Sequence, residues 1–145
     1  STKQRDEMKV NEPYWTQSIK AAYEAGIPIA SGSDLGNRYP HGDNARELEF
    51  LVEIGMKNMD VLRSATSIAA RAIRRADQFG SIRQGLCADM IAVDGDPLDN
   101  IKVLQDPQRM NMVFQDGELV AGSEWKEPRE EAPIARPVTC THAHA

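Results

Sequence analysis

The side chain best placed for chemistry is an aspartate that follows a short apolar segment. Residues 27–31 are Ile-Pro-Ile-Ala-Ser, and the small-residue turn Gly32-Ser33-Asp34 comes directly after them. The pattern predicts a buried strand whose end delivers the Asp34 carboxylate into a cleft. Because the C-terminal ends of strands carry the catalytic residues in a β/α barrel, Asp34 is the first candidate for catalysis. The alternative is a turn or helix-capping aspartate without a catalytic role.

The three histidines of the chain are the other candidates for a catalytic or metal-binding role. His41 follows Asp34 by seven residues, in a loop rich in Gly, Pro and Asn. His142 and His144 have the His-x-His spacing that places two ligands on the same side of a strand. Their neighbours carry no apolar strand pattern, so we interpret residues 139–145 as a disordered end that binds metal only adventitiously.

The elements around the aspartate predict a unit of an α/β fold. Residues 1–13 are polar and have no firm period, whereas residues 14–25 have apolar side chains at intervals of three and four, as in an amphipathic helix. Gly26 is placed to end that helix. The strand at 27–31 and a loop at 35–43 follow, and the order helix, strand, loop, helix is typical of parallel α/β folds.

Two further helices are predicted after the loop. Asn44 and Glu47 have the spacing of a capping box at the start of the first, which carries an apolar stripe as far as Met56. Capping and surface charge are sufficient roles for Glu47. The second helix begins at Asn58 and runs to about Arg75, with a narrow face of small residues suited to packing on a sheet.

After the helices the hydrophobic pattern becomes extended. A strand is predicted at 88–94, where Asp89 is interpreted as a turn residue that bonds backbone amides. Asp116-Gly117 is a strong hairpin signal between two further strands at 110–115 and 118–121. This part of the chain is therefore expected to be all β.

Composition excludes several classes of function. The 145 residues are 41% hydrophobic and 27% charged, with a formal net charge of −5, as in a soluble globular domain. An acidic balance argues against a nucleic-acid-binding protein, which presents a clustered basic face. No apolar run approaches the roughly 18 residues of a membrane span, so no membrane partner is expected. The sequence leaves the compartment open, with the cytoplasm as the expectation.

Four stretches follow one another in an order typical of one enzyme superfamily. They are GIPIASGSDLG at 26–36, HGDNARELEFLVEIGMKNMDVLRSATSIAARAI at 41–73, FGSIRQGLCADMIAVDGDPLDNI at 79–101 and MVFQDGELV at 112–120. Together they resemble the C-terminal part of the amidohydrolase superfamily, in its imidazolonepropionase-like and Xaa-Pro-dipeptidase-like branch. The resemblance implies an α/β fold, with the last strand and flanking helices of a TIM-type (β/α)8 barrel at 1–78. It also implies part of a composite β-sandwich at 79–123, and residues 124–145 form a predicted disordered tail.

The resemblance implies roles for two of the candidate residues. In the similar enzymes the aspartate at the end of the last barrel strand binds, or lies beside, a catalytic divalent metal, for which zinc is expected. It acts as general base toward the metal-bound water and then protonates the leaving nitrogen, which makes Asp34 the expected catalytic residue and metal ligand. A His-Gly pair often lies near the substrate, so His41 is an expected substrate contact. The alternative is a loop histidine with only a local hydrogen bond.

The other metal ligands of such a site have no counterpart in this chain. The similar enzymes take a His-x-His pair from the first strand, a lysine or glutamate from the fourth and histidines from the fifth and sixth, and a complete barrel needs about 250 residues. We therefore expect the C-terminal segment of a metal-dependent amidohydrolase that acts on a small amide, cyclic amide or dipeptide-like substrate and is incomplete as an isolated catalyst.

Two alternatives remain open. The chain is a non-catalytic assembly module derived from an amidohydrolase, or a small hydrolase that borrows ligands from another subunit. In each case a lone unit of this kind leaves apolar faces uncovered. We therefore expect it to need the missing N-terminal part or contacts between copies.

Overall fold

The computed structural model describes residues 2–34 and 42–123, with side chains from residue 13 onward. The helices are α1 Thr2–Glu24, α2 Arg46–Ile54, α3 Asn58–Ala65 and α4 Ser67–Ala72, and the strands are β1 Met90–Val93, β2 Met110–Gln115 and β3 Glu118–Ala121. Three short 3₁₀ turns cover Asp43–Ala45, Ile101–Gln105 and Pro107–Arg109. His41 and the predicted tail at 124–145, with His142 and His144, lie outside the described residues. Within the described ranges, no helix combines the length and the apolar character that a membrane crossing requires.

Helix α1 is longer than its apolar pattern predicts. It begins at Thr2, whereas the apolar period predicted a helix only from Tyr14 and residues 1–13 had no firm period. The segment at 2–12 consists mainly of Lys, Arg, Glu, Gln and Met, which favour a helix even without an apolar period. The helix ends as predicted, because Gly26 N–H donates to the Tyr23 carbonyl (2.9 Å) and Ile27 N–H to the Ala22 carbonyl (3.0 Å).

The starts and ends of the next helices differ from the sequence prediction. A 3₁₀ turn at Asp43–Ala45 leads straight into α2, whose N-cap is Ala45 with no side-chain cap, so the predicted capping box is wrong. The predicted helix from Asn58 to Arg75 is two helices that meet at Thr66, where φ is −125° and ψ is −96°. The Thr66 hydroxyl donates to the Leu62 carbonyl (2.7 Å), a local bond of the kind that bends helices.

A buried core holds the segment before Asp34 against the helices. Its central side chains are Leu48, Leu51, Met56, Val61 and Ile101. Helix α1 packs on them through Ile19 and Tyr23, and the apolar segment through Ile29. The buried side chains of α3 and α4 are Val61, Ser64 and Ala70. The predicted narrow face of small residues on this helical segment is therefore only partly correct.

The predicted strand at 27–31 forms no ladder in the described residues. Residues 27–34 have no regular secondary structure, and the Ser31 N–H donates to the Ser64 carbonyl of α3 (3.1 Å). A strand exists only where a neighbouring strand accepts and donates its backbone hydrogen bonds. No such neighbour is present in the described ranges, so the predicted parallel pairing is absent there.

The C-terminal part is a three-stranded antiparallel sheet in the order β1-β2-β3. The hairpin at Asp116-Gly117 is confirmed, with φ of 51° and 83° at these residues as a type I′ turn requires. The prediction for Asp89 is also confirmed, because its Oδ1 accepts from the Asp116 N–H (2.8 Å). The predicted strand at 88–94 is shorter than expected and covers Met90–Val93.

Tyr23 links α1 to the start of α3 and gives a pH-dependent prediction. Its hydroxyl donates to Asp60 Oδ2 (2.7 Å) and accepts from the Lys57 N–H (3.3 Å), and the bond to Asp60 raises the pKa of Tyr23. A raised pKa in the folded state means that the stabilisation is complete below about pH 10 and is lost as the pH rises through the folded value.

We expect Tyr23→Phe to lower the free energy of unfolding at neutral pH. We also expect this free energy to decrease less steeply with rising pH in the alkaline range. Urea titrations between about pH 8 and 12 measure both effects. Tyr14→Phe is the control, because the Tyr14 side chain is 67% exposed. A Tyr23→Phe variant that loses stability with pH as steeply as the wild type would contradict the prediction.

Candidate functional site

Asp34 lies at the end of the apolar segment in an unusual backbone conformation. Its φ is +46°, in the left-handed region, and the side chain is exposed. Aspartate enters this region more readily than most residues, yet it still pays for the conformation. Such strain persists only where the surrounding structure imposes it, and it is concentrated at functional sites. The contacts that hold the turn in this conformation are therefore relevant to function.

Two helices hold the turn through two successive backbone amides. The Ser31 N–H donates to the Ser64 carbonyl in the last turn of α3 (3.1 Å). The Gly32 N–H donates to Glu47 Oε1 in the first turn of α2 (2.9 Å). Both bonds act within three residues of Asp34, so they fix the point from which its carboxylate extends.

Sequence reasoning missed the role of Glu47. We assigned it to capping and surface charge, and the capping role is wrong because its carboxylate bonds the turn instead. The distance along the chain between Gly32 and Glu47 carries no periodic signal. Only the fold brings a carboxylate in the first turn of α2 to this amide.

Helix α2 is itself anchored on the side of Glu49. Glu49 Oε1 pairs with Lys102 Nζ at 2.5 Å, and Glu49 Oε2 accepts from Gln105 Nε2 at 2.8 Å. These bonds lower the pKa of Glu49, chiefly through Lys102, and the same pair raises the pKa of Lys102. They tie α2 to the 3₁₀ turn Ile101–Gln105 and so fix the position of the helix that carries Glu47.

A cavity of about 730 Å³ opens beside the turn. Ser31, Gly32 and Ser33 form part of its wall, and Glu47 also contributes to the lining. Apolar side chains from α2, α3, the 3₁₀ turns and the sheet form much of the remainder, among them Leu48, Leu62, Ile91, Val93, Leu104 and Met110. A concave, largely apolar space with a few polar groups has the character of a small-molecule site.

The described residues do not form a metal site by themselves. Among residues 13–34 and 42–123, whose side chains are described, no group of three or more His, Cys, Asp or Glu is arranged to hold a metal ion. A catalytic zinc takes three protein ligands and keeps one open position. A metal at Asp34 therefore requires ligands from outside the described ranges. The roles predicted for His41 and the adventitious binding at His142 and His144 stay predictions.

Comparison with known proteins decides the family. A sequence model described as the amidohydrolase family matches residues 14–120, which is most of the chain. This chain belongs to the amidohydrolase family. The match begins within α1, runs through the Gly32-Ser33-Asp34 turn and ends within β3.

Individual amidohydrolases are similar over the same region. An ochratoxinase of Aspergillus niger is 36% identical over 108 residues, which are 73% of this chain and 22% of the relative. An imidazolonepropionase of Shouchella clausii is 30% identical over 108 residues, 71% of this chain and 24% of the relative. The crystal structure of a Xaa-Pro dipeptidase with bound methionine in the active site superposes with a TM-score of 0.70 at 40% identity, over 76% of this chain and 26% of that one.

The chain is much shorter than the amidohydrolases that it matches, and this difference determines what can be concluded about its function. The chain spans about a quarter of the length of these amidohydrolases. Their similarity establishes an amidohydrolase-like arrangement of helices and strands, and it points to hydrolysis of carbon–nitrogen bonds as the chemistry of the family. The activity of a full-length protein that contains this chain is therefore stated as a proposal.

Proposed function

We propose that residues 1–145 are the C-terminal part of a metal-dependent amidohydrolase, with Asp34 as its proton-transferring carboxylate. The observation that carries the proposal is the left-handed, exposed Asp34 at the end of a turn that two helices hold, within a chain of the amidohydrolase family. Residues 1–78 would complete a (β/α)8 barrel, and residues 79–123 would contribute strands to a β-sandwich.

Asp34 can perform the two proton transfers that amide hydrolysis needs. Its ionised carboxylate takes a proton from the attacking water as the water oxygen bonds to the amide carbon. The same carboxylic acid then gives that proton to the leaving nitrogen as the carbon–nitrogen bond breaks. A divalent metal, with zinc expected, supplies Lewis-acid chemistry when it is bound by Asp34 and ligands outside the described ranges.

The proposed substrate is a small amide, cyclic amide or dipeptide-like molecule. The cavity beside the turn has a largely apolar lining that does not include Asp34, so the substrate class rests on the likeness to known amidohydrolases. A relative of known structure is a Xaa-Pro dipeptidase, so dipeptides that end in proline are the first compounds to test. His41 is proposed as a substrate contact.

Chelation tests the metal in this proposal. We expect the full-length protein to hydrolyse Xaa-Pro dipeptides, to lose that activity on dialysis against a chelator and to regain it with one equivalent of zinc. Release of free proline measures the reaction, and elemental analysis measures the zinc. Activity that survives complete removal of metal would contradict the metal requirement.

The 145-residue chain alone provides the matching control. We expect it to be inactive and to bind less than stoichiometric zinc, because the described residues lack a ligand cluster. Stoichiometric zinc that disappears in Asp34→Ala would show that the site is complete within this chain. Zinc that instead follows His142 and His144 would show that the C-terminal pair is a true site.

A non-catalytic assembly module is the second candidate function. Four isoleucines, Ile27, Ile73, Ile82 and Ile91, are each more than half exposed in this chain. Exposed apolar side chains of this number favour a surface that another chain or segment covers. If the full-length protein hydrolyses none of the proposed substrates and light scattering shows a stable complex, the assembly role is favoured.

A further inference from the structure

We propose that Glu47 is a positioning residue that holds the Asp34 carboxylate in place through the Gly32 amide. The inference rests on the proposed function of Asp34. It starts from the bond of 2.9 Å between the Gly32 N–H and Glu47 Oε1. An ionised acceptor makes such a bond stronger than one between neutral groups.

The position of Glu47 makes it an effective anchor. Its neighbour Leu48 is buried in the core at 8% exposure, and Glu49 is bonded to Lys102 and Gln105. The backbone that carries the Glu47 carboxylate is therefore fixed on both sides. A side chain extending from a fixed backbone can impose a conformation on the turn.

The turn needs such a constraint. Asp34 lies two residues after Gly32 and has a φ of +46°. Because an L-residue pays for this conformation, the turn relaxes unless neighbouring contacts hold it. The Ser31 amide is held by the Ser64 carbonyl, and the Gly32 amide is held by Glu47. Removing Glu47 leaves one of these two bonds.

The bond to the turn gives Glu47 a role beyond the ordinary one of an acidic residue at a helix start. No side chain caps the N-terminus of α2, and the Glu47 carboxylate accepts from the turn. A charge that served only the helix dipole would need no such partner. A loss of kcat on substitution of Glu47 would therefore distinguish positioning of Asp34 from stabilisation of the helix.

The test compares Glu47→Ala, Glu47→Gln and the control Glu53→Gln. Glu53 lies on the same helix and is exposed, so its change removes the same charge from α2 without touching the turn. In hydrogen exchange resolved to single residues, Gly32 should exchange about tenfold faster in Glu47→Ala. The core amide of Val61, bonded to the Lys57 carbonyl, should keep its rate.

Steady-state kinetics of the full-length protein provide the second measurement. We expect kcat to fall about tenfold in Glu47→Ala with KM nearly unchanged, because a misplaced group affects the transition state more than binding. Glu47→Gln keeps an acceptor oxygen and a similar size. It should recover part of both losses, and it also serves if the alanine variant does not fold.

The outcomes separate this inference from the proposed function. Unchanged exchange at Gly32 in Glu47→Ala would overturn the bond itself. Faster exchange at Gly32 with an unchanged kcat would reduce Glu47 to a structural residue. If the wild type hydrolyses no amide while Gly32 exchange still depends on Glu47, the proposed function and the positioning role are both wrong. The hydrogen bond between Glu47 and the Gly32 amide would still be supported.

Discussion

Asp34→Asn should lower kcat of the full-length protein by about 100- to 10,000-fold if Asp34 transfers the proton as proposed, which is the range that a positioned side chain contributes. The amide has nearly the same shape as the carboxylate but cannot accept the proton of the attacking water. Asparagine also tolerates left-handed φ, so the backbone conformation at +46° is kept. The loss of rate therefore reports chemistry and not refolding of the turn. Initial rates of amide hydrolysis, with circular dichroism to verify the fold, provide the measurement.

Asp99→Asn is the matched control for this change. It removes the same charge from an exposed position in the turn that follows β1. The control should keep nearly the full rate, which excludes a general effect of net charge. A rate for Asp34→Asn within a few-fold of the wild type would show that Asp34 is a turn aspartate, the alternative that the sequence leaves open.

The parts of the fold that could be predicted are those fixed by a few neighbouring residues. Asp116-Gly117 determines its own hairpin because both residues must adopt positive φ. Gly26 ends α1 by bonds that reach back only to Ala22 and Tyr23. The residue type of Asp89 indicated a turn residue that bonds backbone amides, and the amide that it bonds is that of Asp116, 27 residues away.

Two of the features that failed depend on contacts between distant segments, and a third is local. The break at Thr66 accompanies the bond from its hydroxyl to the Leu62 carbonyl, which the apolar period running through this position does not indicate. The capping box at Asn44 and Glu47 has the correct spacing, yet the turn at Gly32 takes the carboxylate. The strand at 27–31 lacks a partner because strand pairing is a property of the neighbour as much as of the segment.

The candidate site likewise has features that could be predicted from neighbouring residues and features that could not. The type and surroundings of Asp34 could be predicted from Gly32-Ser33-Asp34 and the apolar segment before it. Its anchoring could not, because Ser64 and Glu47 are 33 and 15 residues away from the amides that they hold. The family resemblance supplied the expectation of a metal, and the side chains that the structure describes include no group of three or more His, Cys, Asp or Glu arranged to hold one.

The second large effect is expected where the chain that follows α4 passes back over the helices. Gly80 has a φ of +89°, and a methyl group added there would lie 2.6 Å from the Ala70 Cβ and 3.0 Å from the Thr66 carbonyl oxygen. Ala70 is only 1% exposed, so neither it nor the helix backbone can move aside cheaply. Gly80 therefore lets the chain pass closely over the junction of α3 and α4.

Gly80→Ala should lower the free energy of unfolding by about 2–5 kcal/mol, from about 1–2 kcal/mol of left-handed strain and about 1–3 kcal/mol of overpacking. Gly85→Ala separates the two causes, because Gly85 has a φ of +88° and open space around the position of a Cβ. It should lose only the strain, about 1–2 kcal/mol. Urea unfolding of the three proteins under identical conditions measures the difference. Equal losses in both variants would mean that the close approach to Ala70 and Thr66 does not constrain Gly80, whereas a larger loss in Gly80→Ala measures the cost of that close approach.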